Sequence, residues 1–252
     1  MKKKFLLPIL SVCMVVALVS VGFAAWLITG NDATDTEAGS FVTHKITNEY
    51  FTVKIDKATA ETAVINFGKK DDETVTNPWF TFNGTDGVEK LTAKFVVTIT
   101  PDEKESLTNI KNGYKITVTL KANDNTYDTL ADSAKQYVAY PTLKQGTSNT
   151  ESIVASKTLQ TDGVTLTIDG NSFENNGDDT AATVEVEVTF AWGEKFTSEG
   201  NVVNPYTYYN KLTFDETNTF AKARKDATDV MKALYELNTK QYTLSLGVEK
   251  NS

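Results

Sequence analysis

The sequence predicts an all-β protein, a jelly-roll-like antiparallel β-sandwich with one C-terminal amphipathic helix and short helices in its loops. Three observations carry that expectation. Apolar residues recur at every second position through most of the chain after residue 40, and Gly, Asn and Asp cluster between those runs. A single long stretch near the C-terminus changes to three-and-four spacing.

The first element is not a strand. Three lysines follow Met1, and Phe5 to Ile28 contains no charged side chain, long enough to cross a hydrocarbon core of ~30 Å. The basic end stays on the cytoplasmic side, so everything beyond Gly30 is expected outside the cell. Gly22 and Ala24 put small residues where a signal peptidase needs them, which favours a cut between Ala24 and Ala25; the alternative is a retained anchor to residue 28. The expected division is therefore signal peptide 1–24, flexible acidic leader 25–40 and one β-sandwich domain 41–252. Neither "LSVC" at Cys13 nor the C-terminal "GVEKNS" carries a lipid-anchor or sortase pattern.

Within the domain, Phe51, Val53 and Ile55 alternate with Thr52, Lys54 and Asp56, and Leu91, Ala93, Phe95, Val97 and Ile99 repeat the pattern. Tyr114, Ile116, Val118 and Leu120 form the next strand. The strongest alternation sets Val184, Val186, Val188, Phe190 and Trp192 against Thr183, Glu185, Glu187 and Thr189. Shorter candidates are "AVINF", "YVAYPTL", "SIVASKTL", "GVTLTI" and "YTLSLGV". One apolar and one polar face per strand suits two antiparallel sheets packed face to face.

Helices are fewer. Thr100 as N-cap, Pro101 in the first turn and Glu103 completing a capping box predict a helix that stops at Asn112-Gly113. "TLADSAKQY" suggests another short one. In "NTFAKARKDATDVMKALYELN", Phe220, Ala223, Ala227, Val230, Met231, Leu234 and Leu237 share one side, which is expected to lie against the sheet.

Composition limits the function classes. Net charge is -8, from 33 acidic against 25 basic residues, and Arg224 is the only arginine, so no nucleic-acid partner is expected. The single cysteine, Cys13, lies in the apolar run, leaving the exported part without thiols, as is common in Gram-positive secreted proteins. No metal or cofactor is expected. His44 is the only histidine and reads as a solvated strand residue, and no serine sits in a nucleophile elbow. Glu185 and Glu187 share a strand face as surface charges. "DGNSFENNGDD", with Asp169, Asn171, Glu174, Asp178 and Asp179, is rich in oxygen ligands but lacks EF-hand spacing and reads as a hairpin loop. In "FAWGEKFTSEGNVVNPYTYYNKLTF", the rings of Trp192, Tyr206, Tyr208 and Tyr209 either stack on sugars or fill the end of the sandwich.

The lysine cluster, the long apolar run ending in "FAAW", the acidic leader and the Thr/Val/Lys-rich, cysteine-free strands resemble the TasA and camelysin-like secreted proteins of Firmicutes, exported through a SipW-type signal peptidase. The resemblance implies a jelly-roll subunit that builds extracellular matrix fibres by giving its N-terminal strand to the next subunit. The matching segment here is Phe41, Val42, Thr43, His44, Lys45, Ile46 and Thr47. Its implied metallopeptidase activity is not expected with His44 alone. The leading expectation is thus an exported, non-enzymatic structural protein of the cell surface or biofilm matrix that self-associates and meets the membrane only through its N-terminal segment. The alternatives are an adhesin or carbohydrate-binding module that holds cell-wall or matrix glycans on Trp192, Tyr206, Tyr208 and Tyr209, and a secreted hydrolase with unidentified carboxylates.

Overall fold

The computed structural model describes residues 27–32, 41–59, 63, 65–67, 91–128, 137–146, 151–152, 158–238 and 240–251; the side chains of residues 27–32, 151–152 and 238 are not among them. The fold is mostly β. Its strands in chain order are β1 (Leu27–Asp32), β2 (Phe41–Thr47), β3 (Phe51–Lys57), β4 (Thr92–Pro101), β5 (Tyr114–Ala122), β6 (Thr142–Gln145), β7 (Glu151–Ser152), β8 (Val164–Asp169), β9 (Glu174–Asn175), β10 (Ala182–Thr189), β11 (Thr197–Ser198), β12 (Asn201–Val202) and β13 (Tyr242–Lys250). The helices are α1 (Leu107–Gly113), α2 (Pro205–Asn210) and α3 (Phe220–Asn238).

The large sheet runs β7-β6-β10-β4-β3-β2-β13-β5-β8, with β1 added on β2 and β9 on β10. Its two ends return toward each other, β6 and β7 lying within 8 Å of β8, so the sheet is nearly closed into a barrel. All its pairs are antiparallel except β2 with β13, which run parallel. One mixed sheet therefore encloses the core, where the sequence reading expects an antiparallel sandwich of two sheets. The parallel pair joins strands from opposite ends of the chain, a choice that local alternation does not encode.

Alternation does decide which side chains go inside. Ala93, Phe95, Val97 and Ile99 of β4 are buried, as are Ile116, Val118 and Leu120 of β5, Val164, Leu166 and Ile168 of β8, and Val186 and Val188 of β10. The intervening Thr, Lys and Glu residues carry the outer face. There Lys94 on β4 bridges Glu185 and Glu187 on β10 at 3.0 and 3.7 Å. These exposed pairs add little stability.

α3 buries Ala223, Ala227, Val230, Met231, Leu234 and Leu237 against the core, while Phe220, expected on the same side, is 40% exposed and packs edge-on against Phe214. The helix expected from Thr100 begins later. Thr100 and Pro101 pair with Thr52 and Phe51 in the β3–β4 ladder, and Ser106 caps α1 by accepting the Asn109 N–H at 3.2 Å. The end at Gly113 agrees with the sequence, and the Asn251 backbone N–H and side-chain amide satisfy the carbonyls of Gly113 and Asn112. Leu27–Asp32, divided by sequence between the apolar run and the leader, forms β1. "TLADSAKQY" apart from Tyr137, most of "SIVASKTL" and the Ala24–Ala25 bond lie outside the described residues. Among the described residues no helix is long and apolar enough to cross a membrane.

Candidate functional site

Two places collect the residues singled out by sequence. The first is the seam around β2, where the predicted donor segment Phe41–Thr47 sits inside the chain's own sheet. One edge of β2 meets β3 through Lys45, Ile46 and Thr47; the parallel contact with β13 runs through only Phe41, Val42 and Thr43, opposite Tyr242, Thr243 and Leu244. Two side chains anchor the strand. Phe41 packs edge-on against Phe95 at 4.9 Å and lies 5.5 Å from Tyr242, and Ile46 is buried near the other end. β1 pairs antiparallel along Thr43–Thr47, with Leu27 opposite Thr47, Ile28 opposite Ile46, Asn31 opposite His44 and Asp32 opposite Thr43. Thr29 and Gly30 face the one intervening residue, Lys45, and make a bulge. His44 is half-buried.

The second place is the aromatic end. After β10 the chain continues inward through Phe190, bridges Trp192 to Val138, and buries Phe196 in a short 3-10 turn. The β11–β12 hairpin turns on Glu199 and Gly200, both with positive φ, 53° and 81°. Asn204 then caps α2 by accepting the Thr207 N–H at 2.8 Å, with Pro205 in the first turn. This brings Trp192 and Tyr208 edge-on to Phe196, each with ring centroids 5.8 Å away, and Tyr209 edge-on to Tyr208 at 5.1 Å. Trp192, Tyr206 and Tyr208 are half-buried against the core, and Tyr209 is buried.

The Tyr209 hydroxyl donates to Asp226 of α3 at 2.9 Å, and Lys195 reaches the same carboxylate at 2.7 Å. Burial, with the Asp226 charge second, pushes the Tyr209 phenol far above the ordinary tyrosine range. The clamp fastens α3 to the 3-10 turn and to α2. Sequence reading missed it, because residues 195, 209 and 226 share no periodic signal.

The remaining candidates are occupied locally. Asp169 accepts the Asn171 N–H, Asp178 accepts the Thr180 N–H and hydroxyl, and Asp179 accepts the Asn175 side-chain amide. These are turn contacts, and among the described residues no three His, Cys, Asp or Glu side chains converge to hold a metal ion. Two buried tyrosines, Tyr127 and Tyr242, and the half-buried Tyr140 gather near the start of β13. Tyr127 donates to the Ala139 carbonyl at 2.7 Å, whereas the buried hydroxyls of Tyr140 and Tyr242 have no hydrogen-bond partner among the described residues. Desolvation raises all three phenols, that of Tyr140 to about 12.

No family profile, curated protein or solved structure matches this chain.

Proposed function

We propose that this chain is an exported, non-enzymatic structural protein of the cell surface or biofilm matrix, similar to the TasA and camelysin-like proteins, that polymerises by giving its N-terminal strand to the next copy. The observation that carries this reading is the seating of β2. An N-terminal strand closes the sheet between β3 and β13, so its removal would open two edges that the same strand of another copy fits equally well. Its hold on β13 is short and parallel, three register pairs, while Phe41 and Ile46 supply side-chain anchors that work the same way between molecules. The scaffold for that role is jelly-roll-like, one sheet folded over a single core. In the loop between β8 and β10, Asp169 and Asp178 are engaged with backbone amides and a hydroxyl, as turn residues are.

The test is assembly of the exported protein. Concentrated protein with residues 25–47 intact should form fibres or oligomers, and a version lacking residues 25–47 should not donate. Protein that stays monomeric at high concentration with its N-terminus intact would refute the reading. The half-buried rings of Trp192, Tyr206 and Tyr208 favour a second reading, contact with cell-wall or matrix glycans; glycan binding unchanged by Trp192→Ala with Tyr208→Ala would remove it.

A further inference from the structure

In "ENNGDDTA", which joins β9 to β10, Asn176 is followed by Gly177. Glycine has no side chain to shield its backbone nitrogen, so that nitrogen can reach the side-chain amide carbon of the residue before it. A second such pair among the described residues, Asn112-Gly113, has the opposite setting. Gly113 ends α1, where backbone N–H groups are bonded along the helix. Gly177 lies in an open turn. Its N–H has no hydrogen-bond partner among the described residues, and nothing lies within 4 Å of where a Cβ would stand.

The Asn176 side chain is held by contacts that favour attack on it. Asn176 extends the β9–β10 ladder by one step, its N–H donating to the Ala181 carbonyl at 2.9 Å, which keeps its backbone extended. Its carbonyl accepts the Asp179 N–H at 3.1 Å, so the chain turns directly after it. Its Oδ1 accepts the Ala181 N–H at 3.0 Å, a donor aimed at the oxygen on which negative charge develops. Its Nδ2 donates to the Thr180 hydroxyl at 2.9 Å, and that hydroxyl donates to Asp178 at 2.7 Å. Residues 176–180 are exposed, so water reaches every atom involved.

We propose that Asn176 is a self-modification site, converted to aspartate or isoaspartate through a cyclic imide with Gly177. The Gly177 nitrogen gives its proton to hydroxide and bonds to the Asn176 side-chain carbon. The bond to Nδ2 breaks, and Nδ2 leaves as ammonia with a proton relayed from water by the Thr180 hydroxyl. Water then adds across one imide carbonyl and opens the ring. The product carries a new carboxylate beside Asp178 and Asp179 and has lost the donor to Thr180, so the turn between β9 and β10 loosens. In the isoaspartate product the main chain also gains a methylene, which displaces the pairing of Asn175 with Ala182.

The test follows both Asn-Gly pairs in the purified full chain held in mildly alkaline buffer, with peptide mass mapping reading the conversion of amide to acid. In the folded chain Asn176 should convert at least about tenfold faster than Asn112, and in urea the two rates should converge. Thr180→Val should slow Asn176 by at least about tenfold and leave Asn112 unchanged. Gly177→Ala, which has open space for its methyl group, should slow Asn176 as well. An Asn176 rate no higher than that of Asn112 in the folded chain overturns the proposal, and so does an Asn176 rate that Thr180→Val leaves unchanged.

Discussion

Tyr209→Phe and Tyr242→Phe remove the same atom from two buried side chains, and stability should move in opposite directions. The Tyr209 hydroxyl donates to the Asp226 carboxylate at 2.9 Å, a class of bond worth about 1.5–3 kcal/mol. Asp226 is 39% exposed and keeps Lys195 at 2.7 Å, so water and the ammonium recover part of the loss. The expected cost is about 1–1.5 kcal/mol, or roughly 3–5 °C in Tm for a domain of this size. The Tyr242 hydroxyl has no hydrogen-bond partner among the described residues and pays desolvation with no return. Deleting it should gain about 1 kcal/mol. Urea unfolding of the two variants beside wild type, with slopes unchanged, measures the difference directly. A loss of equal size in both variants would refute this assignment of hydrogen-bond partners.

Two further outcomes follow from the core. Tyr127, Tyr209 and Tyr242 all have raised folded-state phenol pKa values, so the unfolded chain loses these protons first; stability present below about pH 10 should fall as pH rises, by about 1.4 kcal/mol per pH unit for each tyrosine. A flat stability profile between pH 9 and 11 would contradict their burial. Leu244→Ala, at a fully buried position between Leu120 and Thr43, should cost about 3–4 kcal/mol, whereas Leu246→Ala, half-buried two residues on, should cost less than half of that; chemical denaturation reads both.

Strand content was legible wherever a strand has one wet face. β3, β4, β5, β10 and β13 follow from alternation, because each side chain's choice of inside or outside is local. α3 was legible from its apolar stripe. β1 was hidden because Leu27 and Ile28 continue an apolar run whose own period is that of a membrane segment. The start of α1 was misread since Thr100-Pro101 carries good capping residues that the β3–β4 ladder uses instead, an override of local preference by tertiary pairing. The seating of β2 beside β13 joins Phe41 to Tyr242 across nearly the whole domain, and no window of sequence contains both. At the aromatic end, the inward register of Trp192 was readable from β10, but the Tyr209–Asp226–Lys195 clamp depends on three segments meeting in space.

The most direct test of strand exchange is a disulfide placed across the β2–β13 seam. Val42 and Thr243 are register partners, and the sole native cysteine, Cys13, precedes the expected cut. In a Val42→Cys, Thr243→Cys double variant, oxidised as a fresh monomer, we expect the bond to close within one molecule. After assembly, we expect the same pair to link molecules into a ladder on a non-reducing gel. Assemblies in which this bond stays entirely within single molecules would contradict donation of β2.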